Sequence, residues 1–138
     1  MRAVLDTNIV ISGLLYSGKP HELLQYAHSG KLKLFSSRSL LTELSEVLAR
    51  PKFARRLRLL KTTPETVLLA YLAVVEIVSD VKPERVVTSD EDDDEVIACA
   101  LTAEAEYVIT GDDHLLKIGR HQSINIIVAA DAIDLLKR

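Results

Sequence analysis

Short apolar runs separated by segments of helical periodicity set the pattern of this chain. "RAVL" at 2–5, "KLKLFS" at 31–36, "EYVIT" at 106–110 and "INIIV" at 124–128 read as strands with little polar alternation. Between them the period changes. Leu40, Leu44, Val47 and Leu48 recur at i, i+4, i+7 and i+8, which lays one apolar stripe on a helix that stops near Arg50-Pro51. An apolar helical segment runs to about Leu15. "SGKP" is a turn without phosphate-loop spacing, and Pro20 suits the first turn of a helix to about Ser29. Thr63 is placed to cap a helix from Pro64 through Val78, and "RVVTS" at 85–89 reads as a short edge strand. A helix is expected from about Asp93 to Glu104, a turn or short helix at "GDDHLLK", and a final helix at "ADAIDLLK".

Strands that are apolar throughout and alternate with helices predict an α/β fold: a mainly parallel central sheet covered by helices on both faces. Such sheets bind ligands beyond the carboxyl ends of their strands, where strand order reverses. Candidate chemistry is therefore sought in residues that immediately follow strands. The segment Val67–Val75 has no polar face. A helix apolar all round must be buried on more than one side, so this one predicts packing against a second copy, a homodimer or higher homo-oligomer.

Composition narrows the class. The 138 residues fit a single domain, 1–138, with 48% hydrophobic and 27% charged residues, as in soluble globular proteins. The one cysteine, Cys99, sits in an apolar helical run and reads as a small buried residue. No Cys/His set has zinc spacing. "MRAVLD" is a strand and not a signal peptide, and the apolar run Val67–Val75 is too short to span a bilayer. A cytosolic (cytoplasmic) protein without membrane contact is expected. The net charge of −3 advertises no nucleic-acid partner, yet charge is unevenly placed. Residues 50–61, "RPKFARRLRLLK", are basic without an acid; residues 90–95, "DEDDDE", are all acidic.

Four carboxylates stand where the chain meets its core. Asp6 follows the first strand, and Asp112 follows "YVITG". Asp93 precedes Val96, Ile97, Ala100 and Leu101 at i+3, i+4, i+7 and i+8, extending a buried stripe into the helix's first turn, whereas Asp92 and Asp94 miss part of that pattern. Glu43 falls on or beside the stripe of its own helix. Singly, each suits a cap, a turn or a favourable place on a helix dipole. Together they crowd. Two carboxylates about 4 Å apart repel by roughly 4 kcal/mol at an effective dielectric near 20. A hard divalent cation, magnesium or manganese, relieves such a cluster.

"VLDTN", "SLLTEL", "DEDDDEVIACAL" and "YVITGD", in that order, resemble the PIN domain family, particularly its bacterial toxin–antitoxin toxin components. The likeness covers essentially the whole chain. It implies a three-layer α/β/α fold and a metal-dependent ribonuclease cutting single-stranded RNA, with an antitoxin protein as partner. By the same likeness Asp6, Glu43, Asp93 and Asp112 are the catalytic and metal-binding acids, with Asp94 the alternative to Asp93. Asn8 and Thr110 would orient the carboxylates. His114 stands where relatives commonly carry a further acid; it can ligate a metal but brings no fixed negative charge, which leaves one metal or two open. Arg55, Arg56 and Arg58 are the candidate RNA contacts, set against a solvated helical face.

Other readings separate on single residues. A receiver domain requires a lysine after its last strand, and "INIIVAADA" has none. A haloacid-dehalogenase-type phosphatase requires Asp-x-Asp, which "DTN" breaks. The remaining rival is a catalytically weak binding module on the same fold, holding RNA or a protein.

Overall fold

The computed structural model describes residues 1–79 and 91–138, the side chains of 91–94 excepted. Strand β1 (Arg2–Leu5) leads into α1 (Thr7–Leu15) and α2 (Lys19–His28), then β2 (Lys33–Ser37) and α3 (Arg38–Leu48). A single 3-10 turn at Pro51–Phe53 precedes α4 (Ala54–Leu59), α5 (Pro64–Leu72) and β3 (Val75–Val78). Then come α6 (Glu91–Thr102), β4 (Tyr107–Ile109), α7 (Asp113–Ile118), β5 (Arg120–His121), β6 (Ile124–Ile127) and α8 (Ala129–Leu136). The expected strand at 85–89 lies outside the described residues.

The sheet order is β3-β2-β1-β4-β6-β5, parallel except for β5, which pairs antiparallel with β6. Successive side chains of a strand point to opposite faces, so an apolar run serves two cores. In β1, Ala3 and Leu5 join a core with residues of α1, α2, α5 and α8, while Val4 joins another with residues of α6 and α7. Helix α3 touches both, with Leu40 in the second core and Leu44, Val47 and Leu48 in the first. Each large apolar side chain so buried contributes about 1.5–3 kcal/mol relative to exposure.

Gly13 allows α1 and α2 to meet: a Cβ there would lie 2.8 Å from the Pro20 carbonyl oxygen and 2.9 Å from Leu24 Cδ1.

One expected element differs. The helix from Pro64 ends at Leu72, and Val75–Val78 forms a parallel strand on β2, with Leu34 opposite Val75 and Ser37 opposite Val78. Thr63 caps the helix as expected, its hydroxyl accepting the Thr66 amide at 3.2 Å. The chain turns at Ala73 and Val74, where the β-branched run "VVEIV" favours an extended backbone over another helical turn. Nor is α5 buried all round. Val67 and Tyr71 are buried, and Leu69 is 66% exposed.

The strand order fixes where a site can form. From β1 the chain proceeds outward through β2 to β3, and from β4 it proceeds the other way to β6. The reversal lies between β1 and β4, which are hydrogen-bonded neighbours with Leu5 opposite Ile109. The residues that follow these two strands are Asp6 and Thr110.

Candidate active site

Asp6 occupies the N-cap position of α1 in an extended conformation, yet its side chain makes no capping hydrogen bond. Its Oδ2 accepts a hydrogen bond from the Thr110 hydroxyl at 2.8 Å. The backbone fixes both partners: the Asp6 amide donates to the Ile109 carbonyl at 3.0 Å, and the Thr110 amide to the Ile127 carbonyl at 3.0 Å. Thr110 is fully buried. Its oxygen also accepts the Asp112 amide at 3.0 Å, so the hydroxyl proton is directed to the carboxylate. A hydrogen bond to a charged group contributes about 1.5–3 kcal/mol, against a similar penalty for a buried hydroxyl left unpaired.

Asp112 follows from the same turn. Its Oδ1 accepts the His114 amide at 3.1 Å and caps α7. Capping is therefore part of its role, and the cap holds its carboxylate in place. Asp6, Thr110 and Asp112 form one bonded unit at the reversal point. The Thr110 hydroxyl, at the strand end, donates its hydrogen bond to the Asp6 carboxylate. Asn8 is exposed in the first turn of α1 and is not part of this unit, and the His114 side chain is exposed.

Glu43 lies partly buried on α3, beside the stripe formed by the buried Leu40, Leu44 and Val47. The helix starts at the carboxyl end of β2, where the buried Ser37 accepts the Leu40 amide at 3.3 Å. That cap is legible in the sequence, since Ser37 stands three residues before Leu40, where the apolar stripe begins. Helix α3 packs on α1 and on α6, and α6 packs on β1. Asp93 and Asp94 belong to the first turn of α6, and their side chains lie outside those described. Of the stripe expected after Asp93, Val96, Ile97 and Ala100 are buried and Leu101 is half-buried. Among the described residues, no three His, Cys, Asp or Glu side chains form a ready metal cluster.

The basic segment divides by exposure and contact. Leu57 is buried and anchors α4, while Arg55 and Arg58 are exposed. Arg56 is committed elsewhere: its Nε donates to the Leu15 carbonyl at 2.7 Å and its guanidinium lies 4.8 Å from the centre of the Tyr16 ring. Leu15 ends a nine-residue helix that begins after Asp6, so this contact lies about 13 Å along α1 from Asp6. Neither Tyr16 nor this contact was apparent in the sequence, because they depend on which carbonyl the fold brings to α4.

Asp6 and Asp112 supply carboxylate oxygens, both partly exposed and both held by hydrogen bonds from the chain. Oxygen donors of this kind fit a hard divalent cation. A fixed, water-accessible pair of carboxylates can also hold and orient a water beside a phosphodiester.

A sequence model of the PIN domain family matches residues 2–114. A similar solved structure is that of VapBC2 from Rickettsia felis bound to a DNA fragment from their promoter. Its matched chain is 15% identical, with a TM-score of 0.61, over 93% of this chain and 98% of that chain. No curated protein matches the sequence.

Proposed function

The chain belongs to the PIN domain family, whose members are generally nucleases, and from that premise we propose a metal-dependent ribonuclease that cuts single-stranded RNA. The observation that carries this reading is Asp6: it holds a helix N-cap position, leaves the cap unmade, and takes a hydrogen bond from the buried Thr110 hydroxyl. A structural aspartate would be expected to cap its helix.

Asp6, Asp112 and Asp93, or Asp94 in its place, would hold magnesium or manganese, with Glu43 as a further ligand or as the group orienting water. When bound, such a cation lowers the pKa of water and offsets charge at the phosphate. The chain itself contributes position. Thr110 restrains the Asp6 carboxylate, and the α7 cap restrains Asp112, so neither must be ordered as the substrate arrives. Arg55 and Arg58 are exposed cations suited to phosphate contact.

The similar fold of the VapBC2 chain supports a toxin component with an antitoxin as partner. Leu69 and Ile77, 66% and 55% exposed, support self-association through the α5 and β3 side. No helix among the described residues is long and apolar enough to cross a membrane.

The test is cleavage of a single-stranded RNA panel with magnesium, manganese or chelator, comparing the wild type with Asp6→Asn. Cutting that needs both cation and Asp6 supports the reading. RNA retained uncut by wild type under every condition would leave a binding module.

A further inference from the structure

We infer that Tyr16 and Arg56 form a base-stacking subsite for the RNA strand, about 13 Å along α1 from Asp6. This rests on the nuclease reading and assigns part of its substrate contact.

Tyr16 directly follows α1, where its extended backbone, φ −133° and ψ 162°, ends the helix. Tyr16 is 43% exposed. Arg56 stacks against it, and the guanidinium is not a loose surface charge. Its Nε bond to the Leu15 carbonyl occupies a helix-end acceptor and fixes the plane beside the ring. One nitrogen serves that bond, and the other two keep donors for phosphate or base edges.

The surroundings suit a nucleic-acid strand. Lys52 lies 5.0 Å from the centre of the neighbouring Phe53 ring, and Arg55 and Arg58 are exposed on the same short helical segment. Among the described residues, no acidic side chain pairs with any of these cations. Proteins that bind single strands combine such cations with aromatic rings, on which bases stack with little sequence preference. A clamp between α4 and α1 requires only the Arg56–Leu15 bond. The exposed ring beside it is surplus to that clamp and is what a base would use.

The spacing is also compatible with one strand. At about 3.4 Å per stacked nucleotide, 13 Å is roughly four nucleotides, so RNA with a phosphate at Asp6 can reach Tyr16.

The probe is a fluorescein-labelled single-stranded RNA of about twelve nucleotides, within the usual site size for such surfaces. Affinity is measured across a salt series, with calcium replacing magnesium to suppress cutting. Tyr16→Ala is expected to weaken binding on the order of 5- to 150-fold, as loss of one stacked base does. Tyr16→Phe is expected to restore it. Stacking releases no counterions, so the salt slope of Tyr16→Ala should match that of wild type, whereas each lost phosphate contact flattens it by about 0.7. Thermal melting of both variants controls for folding. Wild-type affinity in a folded Tyr16→Ala, or failure of Tyr16→Phe to restore a loss, overturns the subsite. Affinity is read without turnover, so a chain that stacks RNA on Tyr16 but never cuts it overturns the nuclease reading alone.

Discussion

The Thr110 hydroxyl and the Asp6 carboxylate meet at 2.8 Å although 104 positions separate them in the chain. Removing the hydroxyl while keeping the shape isolates what this contact does. Thr110→Val should leave the sheet intact and cost about 1–3 kcal/mol, because Asp6 Oδ2 and the Asp112 amide both lose a partner. Cation affinity or cleavage should fall roughly 10- to 100-fold, as when a group orienting a metal ligand is removed. Thr110→Ser should recover most of both. Chemical denaturation and a manganese titration measure the two effects, and full activity in folded Thr110→Val would show that the bond does not orient Asp6.

The acids themselves give the complementary result. Asp6→Asn keeps an oxygen for Thr110, and Asp112→Asn keeps a good N-cap for α7, so both variants should fold. Each also removes charge from the proposed cluster, and melting without divalent cation should hold or rise. Adding cation at a hundredfold excess over its Kd should stabilise wild type by about 2.7 kcal/mol and the variants much less. Equal melting shifts in all three would remove Asp6 and Asp112 from the metal site.

Both residues were legible as candidates because each follows an apolar strand, and apolar strands are easily read. Their connection was not legible. It depends on β1 and β4 being neighbours, a consequence of strand order that local periodicity does not carry. The end of α5 was hidden for another reason: Val67–Val75 is apolar throughout, with no Gly or Pro to mark where helix gives way to β3. The two-residue β5 is too short to show any period. Glu43 came out where its spacing put it, at the border of a buried stripe, because a helix projects its side chains by a fixed angle.

Tyr71 predicts an alkaline limit to stability. It is 1% exposed on α5, and burial, with Cys99 nearby adding to the effect, pushes its hydroxyl above the ordinary value of 10.0. Below pH 10 the phenol is neutral in folded and unfolded chains alike and gives no pH dependence. Above it the unfolded chain releases the proton while the folded chain keeps it, so stability falls as pH rises. The slope from this group approaches about 1.4 kcal/mol per pH unit. Urea unfolding between pH 9 and 12, values about the ordinary phenol pKa, should show this loss in wild type and a shallower one in Tyr71→Phe. Identical pH slopes would mean that Tyr71 ionises normally in the folded protein.

Arg56 should behave unlike the two arginines beside it. Arg55 and Arg58 are exposed, so replacing both with alanine should weaken RNA binding whatever the base sequence and leave thermal melting unchanged. If each contacts one phosphate, the log–log salt slope should flatten by about 1.4 in the pair variant. Arg56→Ala removes a hydrogen bond to the Leu15 carbonyl and a cation resting on Tyr16, so it should also lower stability, by about 1–2 kcal/mol. Lysine should not replace it, because an ammonium lacks the planar guanidinium that bonds the carbonyl and covers the ring together. A double-mutant cycle between Arg56→Ala and Tyr16→Ala then measures the contact itself, and their losses should be less than additive. Strict additivity in melting would mean that the two side chains are adjacent without being coupled. Arg56 would then be no more than a tether of α4 to the end of α1.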